Sequence, residues 1–155
     1  MQRVLGEEIL RKAIQGEIQA MEFYSKVSKI IINKKSKSLM QNLANEEEKH
    51  KNILQKRYNF LYKKDFEEIP DFIFDKNLNT KNLGLNSKSD ALQILSSAIE
   101  AETHAVEFYS ELLNQTDSHE DIELLKSLIK FEETHKIKLQ DEYKSMNKNF
   151  TWQIP

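Results

Sequence analysis

Glu17-Ile18-Gln19-Ala20-Met21-Glu22-Phe23-Tyr24-Ser25 recurs later in the same chain as Glu102-Thr103-His104-Ala105-Val106-Glu107-Phe108-Tyr109-Ser110, with six of nine positions identical. The copies lie 85 residues apart (102 minus 17), and the same offset carries Glu47-x-x-His50 onto Glu132-x-x-His135. Two motifs repeated in one register mark a duplicated unit, not a coincidence.

Around these motifs the apolar residues follow helical spacing. From Val4 to Ile32 one stripe carries Leu10, Ile14, Met21, Tyr24 and Ile31, with Glu17 set into it. Asn33-Lys34-Lys35-Ser36 has turn chemistry, and Ser36 is placed to cap the next helix. That second helix runs to about Lys64 with Leu39, Leu43, Leu54 and Leu61 on one face, and Glu47 and His50 fill the gap in its stripe. A third helix, about Ser89 to Asn114, presents Leu92, Leu95, Ile99, Val106, Tyr109 and Leu113, interrupted by Glu102. After a turn at Gln115–Ser118, where Ser118-x-x-Asp121 resembles a capping box, a fourth helix reaches Met146 with Glu132 and His135 in its stripe. Asp65–Lys88 is different: Pro70, Gly84, several Asn and scattered Phe and Leu show no period. It is too long for a simple helix–helix turn and reads as a crossover whose aromatics lie on the bundle. The expected organisation is one all-α domain over 1–147, with hairpin one at 4–64, the crossover at 65–88 and hairpin two at 89–146. A tail, 148–155 with Trp152, follows.

Composition agrees and excludes several classes. A chain of 155 residues is one domain's worth, and three Gly and two Pro leave little of the turn-rich signature of an all-β protein. A net charge of −2 offers no field for nucleic acid or an anionic membrane. Cysteine is absent, which removes disulfides, thiolate nucleophiles and Cys-ligated zinc or iron–sulfur centres. Charges break every apolar pair at the N-terminus, unlike a signal peptide, and no run approaches the roughly 20 apolar residues of a spanning helix. The expectation is a cytoplasmic protein with no membrane and no nucleic-acid partner.

Antiparallel helices place residues at equal height when they are equally far from the turn. The midpoint of Glu17 and Glu47 is residue 32, and that of Glu102 and Glu132 is residue 117, both on or beside the turns. Each first-helix Glu therefore faces its partner's Glu-x-x-His about 15 residues, or roughly 22 Å, up the hairpin. Glu and His at i, i+3 share a helix face. Packing the hairpins face to face brings Glu17, Glu47, His50, Glu102, Glu132 and His135 together at mid-bundle. Four buried carboxylates without cations cost too much to remain ionised, whereas two divalent ions bring +4 against −4.

A lone Glu-x-x-His in so charged a chain is usually a solvated helix face, and a duplication preserves identities such as Phe23/Phe108 and Ala20/Ala105 for packing alone. Packing does not explain Glu and His on apolar stripes. Tyr24 and Tyr109 return to the core face and either hydrogen-bond a ligating carboxylate or simply pack. Glu22, Glu107, His104, Glu46 and Glu48 read as solvent-side residues, and His119 as part of a turn.

One Glu from each of two helices plus Glu-x-x-His from each of the other two is the ligand set of ferritin-like di-iron and di-manganese bundles. At these residues the chain resembles the rubrerythrin-like branch of the ferritin-like superfamily, over Leu5 to Met146. The resemblance implies a four-helix bundle ordered up, down, down, up, with a di-iron centre. Glu47 and Glu132 would bridge the irons, Glu17 and Glu102 would be terminal ligands, and His50 and His135 would each bind one metal. It further implies a non-haem oxidoreductase that reacts with hydrogen peroxide or dioxygen, as peroxidase or ferroxidase, in oxidative stress; iron storage or delivery is the alternative. Two Fe ions are the implied cofactor, and such a donor set also accepts Mn or Zn. Rubrerythrins usually append a Cys-ligated rubredoxin domain, which a chain without Cys lacks, so the expected electron donor is a separate protein. They also carry a carboxylate one turn past the third-helix Glu, where this chain has Ala105. A small bundle of this kind is expected to form a homodimer.

Overall fold

A computed structural model describes residues 2–81, 83–84 and 88–149. The described residues form four α-helices: α1 (Glu7–Ile30), α2 (Lys34–Tyr62), α3 (Lys88–Leu112) and α4 (His119–Asn149). Short 3₁₀ turns lie at Lys76–Leu78 and, continuing α3, at Leu113–Gln115. No strand occurs among the described residues. The fourth helix runs three residues beyond the expected end at Met146, so the boundary drawn at 147 cuts its last turn; Trp152 lies outside the described residues.

Side-chain contacts fix the helix directions. Tyr24 with Glu102 and Tyr109 with Glu17 set α1 antiparallel to α3, while His50 with Glu132 and His135 with Glu47 set α2 antiparallel to α4. With each hairpin itself antiparallel, the order is up, down, down, up, as in a ferritin-like bundle. The apolar interior falls into two clusters, above and below the polar middle. One holds Phe23, Tyr24, Val27, Met40, Leu43, Leu95 and Leu139. The other holds Leu10, Ile14, Leu54, Tyr58, Tyr109, Leu125 and Leu128.

Two caps differ from the sequence reading. Asn33, not Ser36, caps α2: its side chain accepts from the Ser36 amide at 3.0 Å. Ser36 is fully buried and its hydroxyl donates to Glu142 at 3.1 Å. At α4, the Asp121 amide meets the Ser118 hydroxyl at 3.4 Å, but the Asp121 carboxylate does not return to close a capping box. It is buried and accepts instead from the Leu5 amide at 2.9 Å, the Thr116 hydroxyl at 2.9 Å and Arg57 Nε at 2.7 Å. One carboxylate thus ties the N-terminus, α2 and the α3–α4 turn together.

The crossover climbs alongside α1 in the same direction. Gln15 donates to the carbonyl of Ile69 and accepts from its amide, at 2.9 and 2.7 Å. Gln19 donates to the Phe72 carbonyl at 2.8 Å and accepts from the Phe74 amide at 2.9 Å. Spaced four residues apart on one helix face, the two amides act as a ladder for a segment with no periodicity of its own. Its aromatics Phe66, Phe72 and Phe74 are half-buried, while Ile73 between the last two is exposed.

Candidate metal centre

The described structure brings all six motif residues together between the two apolar clusters, each of them buried. They form two overlapping groups whose ligand atoms lie within 4.8 Å of one another: Glu17, Glu47, His50 and Glu132; and Glu47, Glu102, Glu132 and His135. Glu47 and Glu132 belong to both. His50 Nδ1 stands 2.9 Å from Glu132 and 3.6 Å from both Glu17 and Glu47. His135 Nδ1 stands 3.0 Å from Glu47, 3.5 Å from Glu132 and 3.6 Å from Glu102. The imidazoles are stacked, with centroids 5.8 Å apart and planes inclined by 16°.

Each residue of the six keeps one buried polar atom without a hydrogen-bond partner: Glu17 Oε2, Glu47 Oε1, His50 Nδ1, Glu102 Oε2, Glu132 Oε1 and His135 Nδ1. Buried polar atoms are almost always paired, and leaving one unpaired costs about 1–3 kcal/mol. Six such atoms converging on one volume fit a pair of cations. The remaining oxygens of the outer glutamates are occupied: Tyr24 donates to Glu102 Oε1 at 2.6 Å and Tyr109 to Glu17 Oε1 at 2.5 Å. Each tyrosine therefore serves the other repeat's glutamate, leaving one oxygen of each carboxylate facing the cluster.

Protonation points the same way. Burial pushes the Glu47 carboxyl well above its ordinary range, and Glu132, Glu17 and Glu102 push it further. Burial and then Glu132 raise Glu102 likewise. For Glu132, burial acts upward but the closely placed Glu102, His135 and His50 outweigh it, and the group is lowered. Burial acts to lower His50, yet Glu132 and Glu17 hold it up at about 9. His135 is raised further against its own burial, by Glu102, Glu132 and Glu47. Burial and the adjacent carboxylates keep the hydroxyls of Tyr24 and Tyr109 protonated as donors. Without cations the cluster holds protons, which a metal ion would have to displace in order to bind.

On the α1–α3 side the crossover covers the cluster. A cavity of about 20 Å³, room for roughly one water, is lined by Glu17, Glu102, Ala105, Phe74 and Leu78 among others. The Phe74 ring lies on Gly16, where an added Cβ would stand 2.7 Å from Phe74 Cγ, and meets Phe108 edge-on at 5.0 Å. Gly16 thus serves as the seat of the ring, at a helix-interior position where glycine costs about 1 kcal/mol relative to Ala.

The sequence profile of the rubrerythrin family matches residues 8–143. The chain belongs to the rubrerythrin family. Among solved structures, a hypothetical protein of Pyrococcus furiosus is 30% identical, with a TM-score of 0.84 over 92% of this chain and 90% of that one. A dodecameric thioferritin from Bacteroides fragilis, described as bacterioferritin-related, shares 18% identity and a TM-score of 0.73 over 92% and 86%. Rhodobacter capsulatus bacterioferritin, solved with a metal-free dinuclear site, shares 17% and 0.68 over 92% and 85%. The last two similarities show the fold alone. No curated protein matches the sequence. No helix among the described residues is long and apolar enough to cross a membrane.

Within this rubrerythrin-family chain one residue read as solvent-side, Glu46, is half-buried, and another, His104, is exposed as expected but has a specific partner. Glu46 is bonded through Oε2 to His135 Nε2, and its side chain is only 29% exposed. His104, half exposed, pairs through Nδ1 with the buried Asp75 of the crossover at 2.8 Å. Glu22, Glu48 and Glu107 are exposed as expected. The roof formed by Phe74 was not legible in the periodicity at all.

Proposed function

We propose that this rubrerythrin-family chain is a cytoplasmic non-haem di-iron oxidoreductase that consumes hydrogen peroxide or dioxygen. The observation that carries the reading is the set of six unpartnered atoms, one on each of Glu17, Glu47, His50, Glu102, Glu132 and His135, in two groups sharing two carboxylates. Glu47 and Glu132 would bridge, Glu17 and Glu102 would bind at the ends, and each histidine would bind one ion through Nδ1. Oxygen and imidazole donors suit iron and also admit manganese or zinc. Two bound irons would supply electrons to the oxidant one per ion.

The protein's own part is positional. Tyr24 and Tyr109 hold the end carboxylates by one oxygen each and, with hydroxyls that stay protonated, keep that hold across the physiological pH range. Phe74 and Leu78 restrict bulk water while leaving a space that admits a molecule of one or two heavy atoms. The sequence has no cysteine for an iron–sulfur centre, so reducing equivalents come from a protein outside it. Two copies pair through the apolar face bearing Ile53 and Phe60, which are 48% and 63% exposed beside a groove of about 620 Å³. Light scattering giving a monomer would overturn that pairing.

The test of the function is anaerobic loading with Fe(II), metal analysis after desalting, and stopped-flow absorption on mixing with peroxide or with dioxygen. Two irons per chain and rapid oxidation by at least one of them are expected. A loaded protein that reacts with neither would sink the oxidoreductase reading.

A further inference from the structure

The 85-residue offset that superposes the motifs also carries Glu46 onto Phe131 (131 minus 46), each immediately preceding a glutamate common to both ligand groups. Both side chains reach across to the other hairpin's histidine. Glu46 Oε2 bonds His135 Nε2, whereas the Phe131 ring lies tilted at 53° against His50, centroids 5.2 Å apart. No described residue hydrogen-bonds His50 Nε2. The repeat is therefore closely mirrored at the six ligand positions and at the two tyrosines, and broken at the group behind each imidazole.

With the Glu46 carboxylate as acceptor, Nε2 of His135 keeps its hydrogen, and Nδ1 is the nitrogen that offers its lone pair to a cation once the proton there is displaced. Such a carboxylate fixes the tautomer, restrains the ring and makes the imidazole a stronger donor to a cation; losing such a partner typically weakens metal binding 10–100-fold. Phe131 supplies steric restraint to His50 but no charge. We infer that the two metal positions are unequal, the one formed by Glu47, Glu102, Glu132 and His135 binding its ion more tightly than the one formed by Glu17, Glu47, His50 and Glu132, with Glu46 as the positioning residue that creates the difference. This rests on the di-metal reading of the cluster.

Anaerobic Co(II) titration, followed by visible absorption and by competition with a chelator of known affinity, tests it. Wild-type protein fills in two steps separated by about 10–100-fold. Glu46→Gln, which keeps the size and loses the charge, weakens the first step about tenfold and leaves the second within threefold. Phe131→Glu tightens the second step toward the first. Glu48→Gln, an exposed neighbour, changes neither, and circular dichroism melts of all variants without metal check that they fold. Protein that takes up no Co(II) overturns the metal reading and this inference together. Two ions bound with equal affinity, or a Glu46→Gln protein with an unchanged first step, overturns the inequality alone.

Discussion

The two faces of the cluster are built on different plans. On the α1–α3 face, Glu17 and Glu102 are held by crossed tyrosines and sealed by a segment from outside the repeat, with Phe74 lying on Gly16. On the α2–α4 face the histidines stand side by side, backed by Glu46 and by Phe131, a residue 45% exposed. The first face is roofed by the crossover over a cavity of about 20 Å³, and the second holds the shared carboxylates and both imidazoles. The difference teaches that the repeat accounts for the six clustered Glu and His residues, while residues outside its mirrored part roof one face and differ behind the two imidazoles.

The sharpest way to separate the faces is to remove a residue that both ligand groups share. Glu132→Ala should abolish binding at both positions, with less than one metal per chain after desalting and no stabilisation by added metal in thermal melts. Retention of one full equivalent would show that the faces hold their ions independently.

A pH series comes next. His50 is raised from 6.5 to about 9 in the folded protein, so the native state binds more protons than the unfolded chain between those values. Its stabilising contribution is complete below about pH 6.5 and is lost as pH rises through about 9, on the order of 3 kcal/mol at 1.36 kcal/mol per unit. Raised Glu47 and Glu102 act in the same direction, being neutral in the fold where the unfolded chain would be ionised. Urea melts of metal-free protein should therefore show stability falling over this window, while metal affinity rises. A flat profile would mean that the α2–α4 face carries no excess protons.

The tyrosines test whether the α1–α3 face is internally symmetric. Tyr24→Phe and Tyr109→Phe each strip a buried carboxylate oxygen of its donor, and each should cost about 1–3 kcal/mol in urea unfolding. The two costs should agree within about 0.5 kcal/mol; a wide gap would break the mirror at Glu17 and Glu102.

The smallest effect concerns the roof. Gly16→Ala alone should be neutral or destabilising, since the new methyl must displace Phe74. In a Phe74→Ala background the same change should stabilise by up to about 1 kcal/mol, the ordinary gain of Ala over Gly within a helix. Equal effects in both backgrounds would show that the ring is not seated on Gly16.

Most of this arrangement is written in spacing. A helix converts i, i+3 into a shared face and a hairpin converts equal distance from a turn into equal height, so Glu17, Glu47, His50 and their copies were placed by counting. The roof was not, because Asp65–Lys88 has no period and is positioned by Gln15 and Gln19, whose amides look in sequence like any polar helix surface. Glu46 was hidden in the run Glu46-Glu47-Glu48, which reads as solvated charge. Extending the 85-residue register one position upstream would have set Glu46 opposite Phe131. Asp75 and His104 come from segments with no common period, and only the folded crossover brings them together.

Each ligand group draws on both halves of the sequence: the group around His50 needs Glu132, and the group around His135 needs Glu47. A bound ion is therefore a reversible cross-link between halves of the chain, closing a loop whose entropic cost grows only slowly with its length. Two chains that traded their second hairpins would rebuild every one of these ligand distances. In such a pair the same six residues would act as a joint between molecules, and removing the metal would loosen the assembly along with each site.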